Sequence, residues 1–256
     1  LIHPQAIIDP SAEIHESVSI GAFTIIGPNV SIGEGTVIGP HNIFKGPTRI
    51  GKNNRFFHFC TVGEDTPDLK YKGEPTELII GDDNTFREYS SIHRGTVQDA
   101  GKTVIGNQNL IMCYAHVGHD CFVGNHCIMS NSSGLAGHVH MGDWAIISGF
   151  SAVHQYCHIG AHAFVAGYSA VFQDVPAFVT VQGAPAVPRI VNVEGLKRRN
   201  FAPEDIKAIQ TAFKTLYKKK LSLADAVVEL EKQAQANSQV RVLYESVANA
   251  KRNIVR

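Results

Sequence analysis

Residues 114–121 read YAHVGHDC and set two imidazoles, His116 and His119, and a carboxylate, Asp120, in a run of otherwise small and apolar residues. Those residue types are enough for general-base chemistry. A neutral imidazole accepts a proton near pH 7, and a carboxylate beside it fixes the tautomer and stabilises the imidazolium that forms. The chain holds 13 histidines, and a lone histidine on a surface turn is more often decoration than chemistry. Which of them act depends on the way each side chain points, and so on the elements that carry them.

Those elements follow a beat of six. From Ile2 the chain reads IHPQAI, IDPSAE, IHESVS, IGAFTI, IGPNVS, IGEGTV. The beat runs to Val62, resumes at Ile80, Phe86 and Ile92, restarts at Ile105 and continues to Ala177. Of these 27 hexad starts, 26 are Ile, Val, Leu, Met or Phe, and glycine follows in 12; no composition bias holds such a phase. A period of six fits neither a single helix nor a hairpin strand. It predicts a parallel β-helix, with one large and one small inward side chain per side and three sides to an 18-residue coil. Each coil buries its inward row against the next, roughly 4.8 Å away. Cys60, Cys121, Cys127 and Cys157 fall at the small inward position and read as core filler.

Two segments break the beat. Asp68 and Glu74 stand where apolar anchors belong, so residues 64–78 leave the coil as a loop, and residues 98–104 shift the phase by seven. Loops on a rigid scaffold often carry function. After Pro185 and Pro188 the beat stops. Three helices are expected beyond it: one behind Pro203, one behind Ser222 with Asp225 three residues on, and one over SQVRVLYESVANAKR. The chain therefore divides into a β-helix over 1–188 and a helical domain over 189–256.

Charge divides it too. Residues 1–188 carry 9 Lys+Arg against 16 Asp+Glu, and residues 189–256 carry 14 against 7. The plain reading is a pair of solvated faces; the sharper one is that the basic end meets a phosphate or an acidic partner. Nucleic acid is not expected, because no recognisable binding motif accompanies the basic residues. No apolar run is long enough to span a bilayer, and the start lacks the pattern of a signal peptide. Five cysteines, an odd number without framework spacing, point to reduced thiols and a cytoplasmic location.

With the coil in hand, the histidines acquire neighbours. In the hexad VGHDCF, His119 and Asp120 take the third and fourth positions, on the outward turn. Steps of 18 from His119 reach Gly137 and then Gln155, which places an imidazole, a residue with no side chain and an amide in one column. His116, His138 and His154 lie at the same corner. Four histidines over three coils with a carboxylate among them argue for a site. No serine or cysteine sits in a nucleophile elbow, so the economical mechanism is direct: His119 deprotonates an acceptor hydroxyl that itself attacks the electrophile, with the Gly137 N–H available to an oxyanion.

The hexad pattern resembles that of the hexapeptide-repeat acyltransferases, a resemblance that implies a left-handed β-helix, an exception to the usual right-handed crossover. YAHVGHDC, SIHRGTVQ, GEPTE, LAGHV, AVHQ, FQDVP and NVEGLKRR together resemble the UDP-N-acetylglucosamine 3-O-acyltransferase family over nearly the whole chain. That family moves a 3-hydroxyacyl chain from the phosphopantetheine of acyl carrier protein to the sugar 3-hydroxyl, the first step of lipid A synthesis, with no further cofactor and no metal. The resemblance implies that His119 is the base, Asp120 its orienting partner and Gly137 the oxyanion donor. It implies that Asp68, Lys70, His116 and His138 hold the glucosamine, and that His154 and Gln155 contact the nucleotide or its phosphates. Asn192, Glu194, Arg198 and Arg199 would bind the uridine diphosphate part and help receive the acidic carrier protein. Gly167 matches the acyl-length position, where the lack of a side chain admits a longer chain. A homotrimer with its sites between subunits is implied as well. Tyr114 departs from the asparagine usual in the family. The rivals are a sister N-acyltransferase with an extra N-terminal domain, an acetyl-CoA-dependent transferase, a zinc hydratase of the γ-carbonic anhydrase kind, and a non-enzymatic assembly subunit.

Overall fold

A computed structural model describes all 256 residues as 27 short strands followed by four helices. The strands form three parallel sheets that are the faces of a prism: nine strands on face I, eight on face II, and ten on face III. Successive strands of the coil visit faces I, II and III in turn, as in Ile7–Ile8, Glu13–Ile14 and Ser19–Ile20. Ile7 pairs with Ile25, 18 residues on, and Glu13 with Ser31. The architecture is the left-handed parallel β-helix with a C-terminal helical part.

The hexad explains the core. Starts such as Ile20, Phe44, Phe86, Met129 and Val165 point inward and are at most 2% exposed. Fifth positions, Cys60, Cys121, Cys127 and Cys157 among them, are also buried, and all five cysteines are free thiols. The fourth position turns the corner in the left-handed region: φ is 60° at Tyr114, 58° at Asp120, 63° at His138 and 65° at Tyr156. Non-glycine residues lose roughly 1–2 kcal/mol there, which the stacked coils offset, and the conformation fixes where those side chains project.

Two register jumps mark the insertions. Thr61 pairs with Ser91, 30 residues on, and Ser91 with His116, 25 on. The coil therefore gains 12 and 7 residues beyond its 18.

At the far end, Val187–Val191 runs antiparallel to Val179–Gln182 and ends face III. Helix α1 (Val193–Arg198) leads into α2 (Pro203–Tyr217), α3 (Leu223–Ala236) and α4 (Ser238–Ala248). The short α1 is additional to the three helices read from sequence. Ile209, Leu216, Leu230 and Leu243 join the helices in one apolar core continuous with the coil. The tail returns to the coil: Asp174 Oδ2 accepts from Lys251 N at 2.9 Å, Val255 N donates to Asp174 O at 2.9 Å, and Ile254 bridges Asp174 in parallel.

Candidate active site

One edge of the prism gathers the chemistry. His119 lies in the turn between His116–Val117 on face I and Phe122–Val123 on face II. Both insertions leave from this same I/II edge, one between Thr61–Glu64 and Glu77–Ile80, the other between Ser91–His93 and Lys102–Ile105. The corners holding Gly137 and His138, then His154 and Gln155, continue the edge on the next coils.

His119 Nδ1 lies 2.8 Å from Asp120 Oδ2. A carboxylate only accepts, so Nδ1 carries a proton, and in the neutral ring the lone pair falls on Nε2. A Cβ at position 137 would lie 2.5 Å from both Cε1 and Nε2 of His119, so the ring occupies the space that glycine leaves. The Asp120 carboxylate is not on the outward surface as the hexad position suggested. It is fully buried, because the second insertion folds over it: Thr96 donates its N–H to Oδ1 at 2.8 Å and its hydroxyl to Oδ2 at 2.7 Å. Burial pushes this carboxyl up, but the hydrogen bonds from His119 and Thr96 outweigh it and hold the group below the ordinary aspartate value.

His138 packs edge-on against His119, with ring centroids 4.9 Å apart, and its Nδ1 lies 2.8 Å from Asp99 Oδ2 on the second insertion. His116 bonds Ser91 Oγ through Nδ1 at 2.8 Å and faces His93 edge-on at 4.9 Å. Burial, and then the neighbouring His119, lowers the His116 pKa. His93 is pushed down to about 4, by burial and then by His116, and its buried Nδ1 has no hydrogen-bond partner. His154 stands one coil further on without a bond to the pair; its Nδ1 faces the Gln155 carbonyl at 3.2 Å.

Asp68 and Lys70 ride on the first insertion at the same edge, where Asp68 Oδ1 accepts from Lys70 N at 2.9 Å. Neither bonds the histidines. The two insertions are tied together by Arg94, which donates to Gly63 O at 2.6 Å, to Tyr71 Oη at 3.0 Å and to Asp65 Oδ1.

The remaining candidates lie elsewhere on the chain. Asn192, Glu194 and Arg198 line a cleft of about 410 Å³ against Ile146, Phe164 and Thr180 on face III. Asn192 caps α1 by accepting from Gly195 N at 3.1 Å. Arg199 donates to Trp144 O at 3.0 Å and approaches His162 Nδ1 at 3.1 Å, on the II/III edge. Gly167 sits on the III/I edge, where an added Cβ would meet only Gly149 O, at 3.4 Å. A single chain thus places these groups away from the His119 edge, on face III and on the other two edges.

Sequence reasoning passed over Thr96, Asp99, His93 and Ser91 as site residues. The signals were the quoted motif SIHRGTVQ, which contains Ser91, His93 and Thr96, and the phase break at residues 98–104, which contains Asp99.

His119, Asp120 and His138 are the one group of potential metal ligands, with donor atoms within 4.8 Å of one another. Each imidazole Nδ1 there is already engaged by a carboxylate at 2.8 Å, an arrangement suited to moving protons. The edge can therefore deprotonate a hydroxyl held beside Nε2 of His119 and offer a backbone N–H to the charge that develops.

Comparison with known proteins identifies the family. Residues 11–46 match the bacterial transferase hexapeptide family (six repeats), and residues 174–255 match the second domain of UDP-N-acetylglucosamine O-acyltransferase. The chain is 57% identical over 255 residues to the acyl-[acyl-carrier-protein]–UDP-N-acetylglucosamine O-acyltransferase of Pseudomonas putida (strain W619), covering 100% of this chain and 99% of that protein. The corresponding enzyme of Stutzerimonas stutzeri is 55% identical over 256 residues, with the same coverage. Among solved structures, the UDP-N-acetylglucosamine acyltransferase of Francisella novicida superposes with a TM-score of 0.98 at 41% identity, covering 100% of this chain and 94% of that one. That of Moraxella catarrhalis gives 0.97 at 43%, with 100% and 99% covered. The chain is an acyltransferase and belongs to the acyl-[acyl-carrier-protein]–UDP-N-acetylglucosamine O-acyltransferase family.

Proposed function

We propose that this chain transfers a 3-hydroxyacyl group from acyl carrier protein to the 3-hydroxyl of UDP-N-acetylglucosamine, the first step of lipid A synthesis, in the cytoplasm. The observation that carries the mechanism is the His119–Asp120 pair at 2.8 Å, its free Nε2 beside Gly137. Nε2 takes the proton of the sugar hydroxyl, and the oxygen attacks the thioester carbonyl. Asp120 stabilises the imidazolium. The tetrahedral oxyanion accepts from the Gly137 N–H, an interaction of roughly 3–4 kcal/mol where such donors have been removed. Collapse expels the phosphopantetheine thiolate, which recovers the proton from His119. The balance needs no metal and no cofactor beyond the carrier's own arm.

Asp68, Lys70, His116 and His138 hold the glucosamine in this reading, and His154 with Gln155 meets the nucleotide or its phosphates. Asn192, Glu194, Arg198 and Arg199 take the uridine diphosphate part and help receive the carrier. The excess of 14 basic over 7 acidic residues in 189–256 supports a polyanionic partner there. The separation of these groups from the His119 edge within one chain supports a homotrimer whose sites are completed between neighbours. A closed ring satisfies every such interface. Gly167 leaves the groove open to a long acyl chain.

The test is transfer from 3-hydroxyacyl carrier proteins to UDP-N-acetylglucosamine by wild type and His119→Ala. Wild type should transfer, and the variant should lose about 10² to 10⁴ in kcat with unchanged melting and assembly. Equal rates in both proteins would remove His119 as the base; no transfer at any chain length would remove the reaction.

A further inference from the structure

The I/II edge holds two histidine–aspartate pairs, and only one of them belongs to the coil itself. In the second, the carboxylate comes from the insertion. Residues 96–101 form a small turn closed by Gly101 N donating to Thr96 O at 3.1 Å, with Gly101 at φ +70°. Thr96 pins the base of that turn to Asp120. Its far side brings Asp99 Oδ2 to 2.8 Å from His138 Nδ1, while Asp120 Oδ2 stands off at 3.9 Å. His138 is otherwise tightly held. It is 6% exposed, its face stacks on Tyr156 at 4.2 Å and 8°, its edge meets His119, and its backbone N–H donates to the His119 carbonyl at 2.9 Å. Stacking on Tyr156 fixes the plane of the ring but not which nitrogen carries the proton. A carboxylate decides that, because it can only accept.

We infer that Asp99 is a positioning residue: its carboxylate, delivered by the second insertion, holds His138 as the Nδ1–H tautomer and makes Nε2 the atom offered to the nucleotide sugar. The inference rests on the proposed reaction for its substrate and deepens it in one respect. A neutral imidazole so held presents a lone pair, so the sugar group it meets is a hydroxyl or amide N–H. The residue acts through His138 and touches no reacting atom.

Asp99→Asn in the full chain is the test, since the amide keeps the shape but can donate to Nδ1 and reverse the tautomer. The KM for UDP-N-acetylglucosamine should rise about tenfold, the size of one hydrogen bond, with kcat within about threefold and melting unchanged. Long-range proton–nitrogen spectra of histidine-labelled protein, with His138 assigned by its loss in His138→Ala, should show Nδ1–H in wild type and a shift toward Nε2–H in the variant. In a His138→Ala background, Asp99→Asn should cost nothing further. A wild-type tautomer and KM in Asp99→Asn would overturn the inference, as would an equal loss in both backgrounds. Absence of sugar acylation by wild type would instead overturn the proposed reaction, and the spectra would still decide the Asp99–His138 pairing.

Discussion

Thr96 donates twice to the Asp120 carboxylate, from its backbone N–H at 2.8 Å and from its hydroxyl at 2.7 Å. Asp120 is fully buried, so each donor offsets part of the cost of keeping a charge out of water. In Thr96→Val the backbone donor remains and the hydroxyl is lost. A hydrogen bond to a charged group contributes about 1.5–3 kcal/mol, so unfolding stability should fall by that amount and kcat by about tenfold. Thr96→Ser should restore both. Denaturant titration beside steady-state kinetics reads the two effects, and a Thr96→Val protein with wild-type stability and rate would show that the hydroxyl is idle.

Gly137→Ala should injure catalysis without injuring the fold. The three atoms nearest the new Cβ would all belong to the His119 ring, two of them at 2.5 Å, so the imidazole is what must move. Displacement of a catalytic group by about 1 Å costs on the order of 10²-fold. Kinetics and a melting curve on the same preparation check it: kcat should drop by about that factor while Tm holds. A collapse of Tm with the activity would point to the coil instead.

Gly167→Met should change which acyl chain is preferred. The position is open apart from Gly149 O at 3.4 Å, so a long side chain projects into space without breaking a coil contact. Competition between carrier proteins loaded with short and long 3-hydroxyacyl chains should shift toward the shorter by about tenfold, the worth of one or two methylenes in an apolar groove. An unchanged preference would move the ruler elsewhere.

Stability should fall as the solution is acidified through the histidine range. Burial, and then a neighbouring cation or imidazole, pushes His93 and His162 down to about 4. Their unfolded value is near 6.5. Between about pH 6.5 and 4 the unfolded chain binds more protons than the folded one, so stability is full above that window and drops through it. His116, His140 and His158 are lowered in the same direction. Melting followed from pH 7 to 4.5 should show the decline, and a His93→Asn/His162→Asn variant should show a shallower one. A flat profile in wild type would contradict the buried, neutral state of these rings.

The coil was legible because its information is periodic. Ile20, Phe86 and Val165 repeat one environment every six residues, and Asp68 betrays the first insertion by standing where that environment cannot hold a charge. The column from His119 to Gly137 followed from counting 18. Inside the insertions no period runs, so Thr96 meeting Asp120 across 24 residues and Asp99 meeting His138 across 39 left no trace in spacing. The same gap hid the burial of Asp120, since a hexad position gives the direction of a side chain but not what folds over it. Helix α1 was missed for a different reason: six residues are too few for helical periodicity to register, and its marker is the Asn192 cap.

The clamp of the tail on Asp174 bears on how the protein avoids polymerising. A stack of coils ends in exposed strand edges that invite another chain to add on, the route by which parallel sheets grow into fibrils. Here the last strand of face III is met by an antiparallel one, and Asp174 is occupied by Lys251, Asn253, Ile254 and Val255. The helices and tail therefore act as a growth stop as well as a place for cationic side chains. A chain shortened before Lys251 would leave bare the Asp174–Val175 segment that extends face II through the Ile159–Val175 bridge, and its first symptom would be end-to-end association, ahead of any loss at the histidine edge.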